Sequence, residues 1–531
     1  MQMEIYLDAN ATTPVLPAAA ERAAHTMHAL FGNPSSTHIA GLQARDMKES
    51  VRRRAAAMLG AGDGKLLFVS GATEAIQTAV LSALCATRSR RQAGNDAGHL
   101  LLYGATEHKA VPESLAHWNK VLDLKLELRA LPVGVDGRHD LAVLRQLAPE
   151  AAMVCTMAAN NETGVTSDLA AIEHVLEETA SPALWLVDCV QALGKMPLDL
   201  SAIRIDYAAF SGHKLYAPKG IGLLYLRDEA PFTPLMAGGG QEGGHRSGTE
   251  NMVGLAAFGA VLEALEDGTS FRTHQELAGF RDQMVESLRC ALPGIVFNAP
   301  FSMALPTTLN FSVPGSSSKE LLDLFDAAGI RVSSGSACSS APAVPSFVLE
   351  AMGLPLWRAA AAIRMSFGPA ADAPFVALAC ERIRRCGDAL RTSKRTAGSA
   401  TFDRGVIDER AIDCDRQLSG RTLNAFLDEH ADAILIDVRE PFEHLVGPVR
   451  WCLGREPINV PMSRLVEHTD AWLHDKERPL LFICRSGNRS GRAAAYLQLA
   501  GHPQAWHLSG GLALASHKTD ATAIEFLTTT P

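Results

Sequence analysis

The sequence predicts an α/β protein of at least two domains, each organised around a mainly parallel sheet. Three observations carry that expectation. At 531 residues the chain exceeds what a single hydrophobic core ordinarily serves. Up to about Cys386, short apolar runs alternate with Ala- and Leu-rich stretches, the pattern of successive βα units. A polar, charged stretch from Arg391 to Asp415 then breaks the periodicity, and a shorter βα series resumes after it.

The composition is that of a globular chain, 47% hydrophobic and 20% charged, with no sign of wholesale disorder. A net charge of −9 argues against a nucleic-acid partner, which would call for a basic face. No apolar run is long enough to span a bilayer. The start, "MQMEIYLDANATTP", lacks the basic-then-apolar pattern of a secretory signal. Ten irregularly spaced cysteines form neither a disulfide framework nor a paired zinc pattern, so a reducing cytoplasm is expected and no metal.

Along the chain, "KLLFVS", "HLLLYGA", "AAMVCTMA", "ALWLVD" and "YAAFSG" are strand-like, each followed by helix or loop signals. "FVSGATEAIQTAV" is strand, tight turn and helix. Ala72 and Thr73 open that helix, where backbone N–H groups and a hydroxyl suit a phosphate. Gly-Ala-Thr turns also simply cap helices, so this feature alone decides nothing. "ALWLVDCVQALGK" ends a buried strand at Asp188, with Gln191 three residues on; carboxylates at such strand ends tend to face the ligand crevice. "FSGHKLYAPKGIG" places Ser211, His213 and Lys214 at the end of another strand, and "TEHKAV" places His108 after a third. A lone lysine is most often a solvated charge and a lone histidine a satisfied loop residue.

Together these stretches resemble the class-V aminotransferase group of pyridoxal-phosphate enzymes, and within it the cysteine desulfurases of iron–sulfur assembly. The resemblance rests on "YLDANATTPV", "GNPSSTH", "SGATEAIQ", "TEHKAV", "NNETGV", "VDCVQALGK", "SGHKLYAPKGIG", "GGGQEGGHRSGTEN", "SSGSACSS" and "IRMSFG", in the family's order from Tyr6 to about Arg384. It implies fold type I, a large domain with a mainly parallel sheet plus a small α/β domain. It implies pyridoxal 5'-phosphate held as a Schiff base on Lys214, with Asp188 on its ring nitrogen, His108 stacked on the ring, and Gln191 on its hydroxyl. Asn161 would lie near that edge and the substrate. Ala72, Thr73, Ser211 and His213 would hold the phosphate. Thr249 would reach it from a neighbouring subunit, implying a homodimer. Arg364 would clamp the carboxylate of L-cysteine with its planar fork of donors; its bland alternative is a buried structural salt bridge.

"SSGSACSS" seats Cys338 among the smallest side chains available. In the family pattern this thiol attacks the substrate sulfur and leaves as a persulfide, while Lys214 takes the α-proton and alanine departs. Small residues let such a loop travel, and the following "SSAPAVP" resembles the longer-loop branch that delivers sulfur to acceptor proteins. Selenocysteine lyase and cysteine sulfinate desulfinase are the competing substrate classes.

The second series reads "AILIDV", then "LLFIC" opening into "SGRAAAYLQLAG". Cys484 begins a loop, Arg485, Ser486, Gly487, Asn488 and Arg489, whose backbone N–H groups can converge on the sulfur, with the next helix adding its positive end. Arg485 and Arg489 add charge, and such a nest stabilises a thiolate or a persulfide. With "ILIDVREPFEH" upstream, this part resembles a rhodanese domain, a small α/β sulfurtransferase; Asp437 and Arg439 match its "DVRE" signature, read as architectural. Two departures stand out. "LVGPVRWCLGREPINVP" is longer than usual and carries Cys452, and "SGGLALAS" keeps Gly510 and Gly511 but lacks the family's tryptophan. A phosphatase loop would enclose five residues between cysteine and arginine, against four here. The alternative to catalysis is a module that only docks an acceptor. Cys155 and Cys189 are expected in the core, and Cys85, Cys290, Cys380 and Cys386 in or near helices.

The expected organisation is therefore a desulfurase over 1–390, a linker over 391–415 and a rhodanese-like domain over 416–531. Sulfur would pass from L-cysteine to Cys338, then to Cys484, then to an acceptor protein or small thiol. A tether raises the effective concentration of the two thiols to around millimolar if it spans the gap.

Overall fold

The computed structural model describes residues 4–95, 98–334, 345–396, 416–449 and 455–515. They form two compact units, one of Ile5–Leu322 with Arg331–Cys380, the other of Glu4, Asp323–Ile330 and the described residues from Glu381 onward. Cys338, Cys414, Cys452 and most of the expected linker lie outside the described residues. The helix Ala373–Thr396 carries residues 391–396 of that stretch.

The first unit is built on a seven-stranded sheet in the order Lys65–Val69, Gly222–Leu226, Tyr207–Ser211, Leu184–Asp188, Ala151–Met157, Leu100–Gly104, Glu127–Leu131. All five expected strands are present. Two more complete the sheet. Glu127–Leu131, with its polar sequence, extends the parallel ladder beside Leu100–Gly104. Gly222–Leu226 runs antiparallel to both of its neighbours.

The central strands are buried on both faces, which is why they read as unbroken apolar runs rather than as alternation. Trp185 and Val187 pack into the core on one face, Leu184 and Leu186 into the core on the other. Each such side chain, fully removed from water, contributes roughly 1.5–3 kcal/mol. Helices cover both faces; among them Ala72–Gln92 packs on one, and Ile39–Leu59 with Met252–Asp267 on the other. A smaller antiparallel sheet, Ile363–Ser366, Thr308–Ser312 and Val296–Phe297, supplies Arg364.

The second unit contains a five-stranded sheet, Gln417–Leu418, Ala505–Leu508, Leu480–Ile483, Ile434–Asp437, Ile458–Asn459, with every pairing parallel. Leu480 and Phe482 face one core, Leu481 and Ile483 the other. The helix Asn488–Leu499 follows Leu480–Ile483 through the short Cys484 loop, as the βα pattern predicts.

Candidate functional site

In a doubly covered parallel sheet, the loops leaving the carboxyl ends of the strands are where polar groups can converge. Asp188 closes Leu184–Asp188, Ser211 closes Tyr207–Ser211, and Lys214 ends the 3-10 turn Gly212–Lys214 directly after it. Exposed His108 follows Leu100–Gly104, and its Nδ1 accepts from the Ala110 N–H at 3.2 Å. Asp188 is buried, and Val190 N–H donates to its Oδ1 at 2.9 Å. Burial raises its carboxyl, while that N–H, His108 and Lys214 favour the charged form.

Lys214 Nζ donates to the carbonyls of Asn10 and Ala11, each at 2.7 Å. The stretch from Asn10 to Thr13 is laid along the lysine turn, with Thr13 N–H donating to the His213 carbonyl at 2.9 Å. His213 Nδ1 lies 3.1 Å from Thr12 Oγ1. Burial, followed by the cations Lys214, Lys219 and Lys195, pushes its imidazole down to about 4. Gln191 Nε2 donates to the Asn10 carbonyl at 3.1 Å, and its Oε1 accepts from Lys195 Nζ at 2.5 Å. Asn10 Nδ2 donates to the Asn161 carbonyl at 3.2 Å and to Thr308 Oγ1 at 2.9 Å.

The helix Ala72–Gln92 opens with no side chain capping its first amides. A Cβ placed on Gly71 would sit 3.8 Å from Ser211 Oγ, so that hydroxyl lies beside the helix start. Open amides, a hydroxyl and exposed Thr73 make a setting for a phosphate. An amine on Lys214 and a buried carboxylate on Asp188 stand at the same sheet edge. This donor set fits pyridoxal phosphate: an aldehyde for the amine, a ring N–H for the carboxylate, an anion for the helix.

Arg364 is fully buried. Its Nη2 donates to Asp8 Oδ1 at 2.6 Å and its Nη1 to the Asn161 carbonyl at 3.1 Å, while Nε has no partner. Ser333 Oγ also donates to Asp8 Oδ1, at 2.9 Å. A buried structural salt bridge at Arg364 therefore exists, and the guanidinium still holds a spare donor. Thr249 is exposed, one residue before Glu250, which pairs with Lys48 at 2.7 Å. Asp8, Asn10 and Lys195 were not singled out in the sequence; only their place inside "YLDANATTPV" and "VDCVQALGK" pointed to them.

In the second unit Cys484 is buried, and its Sγ accepts from the N–H groups of Gly487 at 3.2 Å and Ser490 at 3.3 Å, with Ser490 Oγ also 3.3 Å away. Of the expected loop donors Gly487 alone reaches the sulfur, and the second amide comes from Ser490, one residue beyond the loop. Gly487 adopts φ +92°, and a Cβ there would meet Gly510 N at 2.7 Å. A Cβ on Gly511, at φ +57°, would lie 2.4 Å from the Cys484 carbonyl. That close approach lets Leu512 and Ala513 N–H donate to the carbonyls of Cys484 and Arg485, both at 2.9 Å. The retained glycine pair thus backs the cysteine loop.

The two arginines do not simply add charge. Arg489 forms a bidentate pair with buried Glu443 at 2.6 and 2.7 Å, which holds its guanidinium charged against the opposing effect of burial. Arg485 turns to Asp326 at 2.6 Å and Asp323 at 3.3 Å within the same unit. Ser486 and Asn488 are exposed. Asp437 and Arg439 form a fully buried pair, in keeping with an architectural role.

Cys155 and Cys189 lie in the core, where burial raises their thiols well above the usual range; Cys380 and Cys386 are also buried, Cys85 half-buried and Cys290 exposed. Among the described residues no cluster of His, Cys, Asp or Glu is arranged to hold a metal, and no helix is long and apolar enough to cross a membrane.

Residues 5–376 match the aminotransferase class-V family and residues 421–516 the rhodanese-like domain. The chain is 36% identical over 365 residues to a cysteine desulfurase of Cereibacter sphaeroides, covering 68% of this chain and 90% of that protein. It is 38% identical over 367 residues to one from Gluconacetobacter diazotrophicus, covering 68% and 88%. Among solved structures it resembles a NifS-like protein at 30% identity and TM-score 0.64, over 73% of this chain and all of that one. It also resembles SspA in complex with cysteine, at 26% identity and TM-score 0.59, over 69% and 99%.

Proposed function

We propose that this chain, which belongs to the class-V aminotransferase family and carries a rhodanese-like domain, is a cysteine desulfurase that relays sulfur between two thiols. The observation that carries the first half is the convergence of Lys214, Asp188, Gln191 and His108 on one sheet edge, with Arg364 joined to it through Asn161 and Asn10. Cysteine desulfurase relatives over the same residues support it.

Pyridoxal phosphate, held by Lys214, Asp188, Gln191, Ser211, His213 and the Ala72–Thr73 helix start, supplies an electron sink when bound. Arg364 holds the carboxylate of L-cysteine, sharing its guanidinium with Asp8. The Lys214 amine removes the proton from the substrate Cα. The Cys338 thiolate attacks the substrate sulfur; the C–S bond breaks, its electron pair stays with the carbon fragment, and protonation yields alanine. The product on the protein is a Cys338 persulfide.

In the relay, the Cys484 thiolate attacks the outer sulfur of that persulfide. The S–S bond breaks, Cys338 leaves as a thiolate, and a persulfide forms on Cys484. The Gly487 and Ser490 amides are placed to hold negative charge at that sulfur. An acceptor protein or small thiol then takes the sulfur. A homodimer with Thr249 reaching the partner's cofactor completes the proposal.

The test feeds sulfur-labelled cysteine to the wild type, Cys338→Ala and Cys484→Ala, and locates labelled persulfide by mass spectrometry after non-reducing digestion. Label on Cys484 that disappears in Cys338→Ala is the expected result. Label confined to Cys338, with alanine release indifferent to Cys484→Ala, removes the relay.

A further inference from the structure

We propose that Lys195 is a positioning residue for the cofactor-bearing Lys214, fixing Gln191 and Asn10 in one orientation and placing a second cation beside the reactive amine. This rests on the pyridoxal-phosphate reading above and adds a residue to it.

Lys195 lies seven positions beyond Asp188, and its side chain is buried rather than solvated. A buried ammonium ordinarily demands a carboxylate. Among the described residues none pairs with it. Its Nζ donates instead to two neutral oxygens, Gln191 Oε1 at 2.5 Å and Asn10 Oδ1 at 3.4 Å.

An ammonium donates only, so while Lys195 is charged its two acceptors must be oxygens. That orients both amides. Gln191 turns its nitrogen to the Asn10 carbonyl, and Asn10 turns its nitrogen to the Asn161 carbonyl and Thr308 Oγ1. The Asn10 carbonyl also accepts from Lys214 Nζ. One asparagine therefore joins the two lysines, and the glutamine presents a donor edge at the place expected to meet the cofactor's ring hydroxyl.

The electrostatic part follows from the same cluster. The charged groups around the lysine pair are Arg364 with its partner Asp8, Asp188 with His108, and His213 with Lys219. Burial, then Lys214, then Arg364, push the Lys195 ammonium down to about 7. The repulsion is mutual, so in the pH range up to about 7, where Lys195 carries its charge, the two lysine nitrogens disfavour being protonated together.

The experiment compares wild-type holoenzyme with Lys195→Met, Lys195→Gln and Lys195→Arg. The readouts are the pH midpoint of the cofactor's visible absorbance, the dissociation constant of pyridoxal phosphate from apoprotein, and thermal unfolding. Lys195→Met is expected to raise the midpoint by on the order of one pH unit. Thermal unfolding separates this shift from a loss of structure, since methionine leaves the Gln191 and Asn10 oxygens without that donor. Lys195→Gln keeps a donor without the charge, so its midpoint stays raised while its cofactor affinity stays closer to wild type than that of Lys195→Met. Lys195→Arg is expected to restore the midpoint. Wild-type midpoints in Met and Gln variants overturn the proposal. Absence of a borohydride-reducible linkage at Lys214 in the wild type overturns the cofactor reading itself, a distinct result.

Discussion

Replacing Arg439 by methionine tests the buried ion pair beneath the second site. Arg439 Nε donates to both oxygens of Asp437, at 2.9 and 3.1 Å, and Nη2 to Oδ2 at 2.8 Å. Burial alone would raise the Asp437 carboxyl. Hydrogen bonds from His444 and Arg439, with the guanidinium charge, bring it from 3.8 down to about 2. That difference is worth about 2 kcal/mol for the charged form. Removing one partner of a buried pair costs about 3–5 kcal/mol. His444 Nδ1 at 2.9 Å and the Arg439 backbone N–H at 3.1 Å remain, so a loss of about 3 kcal/mol is expected for Arg439→Met. The carboxyl's contribution is present above the unfolded value and lost as pH falls through the folded one. In wild type that window runs from 3.8 down to about 2; in the variant the carboxyl protonates earlier, and acid unfolding of this unit begins at higher pH. Hydrogen exchange of the Ile434–Asp437 amides in the full chain reads the opening of this strand without assuming two-state unfolding of the whole protein. The double variant Asp437→Leu with Arg439→Met should recover most of the loss. Protection that changes less than about tenfold in the single variant, or a double variant no better than the single, would refute the reasoning.

Three further outcomes are expected. Glu242 is buried between Arg52, in bidentate contact at 2.7 and 2.8 Å, and Lys48 at 3.3 Å; Glu242→Gln should destabilise the first unit by about 3 kcal/mol, seen as a lowered thermal transition. Burial pushes His139 down to about 4, so as pH falls from 6.5 towards 4 the unfolded chain binds a proton that the folded chain does not. Stability should drop by up to about 3 kcal/mol over that window, and His139→Gln should flatten the slope in urea titrations at several pH values. Ser490 Oγ lies 3.3 Å from Cys484 Sγ, and its rotatable hydroxyl proton, which bonds the Gly487 carbonyl beside the neutral thiol, turns to donate to the sulfur of the thiolate. Ser490→Ala should slow labelling of Cys484 about fivefold, corresponding to the roughly 1 kcal/mol of one hydrogen bond, with alanine formation unchanged.

How far the sequence revealed the molecule depends on whether a residue's role is local. Asp188, Ser211 and Lys214 announce themselves because an apolar run ends and a polar residue follows, which in a parallel sheet marks the ligand edge. Gly222–Leu226 is equally apolar, yet its antiparallel direction is decided by partners on either side. Asn10 and Lys195 carry no periodic signal, and their partnership spans 185 positions. Arg485 was legible as a charge beside a thiol but not as a partner for Asp323 and Asp326, because ion pairing is settled by packing rather than by neighbours in sequence. Gly510 and Gly511 stood out as a partial motif; their use, backing the Cys484 loop, emerges only once backbone carbonyls are placed.

Asn10 has a bearing on how the protein is made. Its N–H donates to Ser366 Oγ across 356 positions, its side chain reaches Thr308 across 298, and its carbonyl receives Lys214 across 204. Contacts of such separation close late, since the entropy of the intervening loops must be lost before they form. A ribosome-bound chain that has exposed the seven-stranded sheet still lacks Arg364 and Ser366, so the surroundings of Asn10 and Lys214 are unfinished while most of the sheet is already folded. That cleft is completed only after Ser366 has been added, with the rhodanese-like portion following it along the chain.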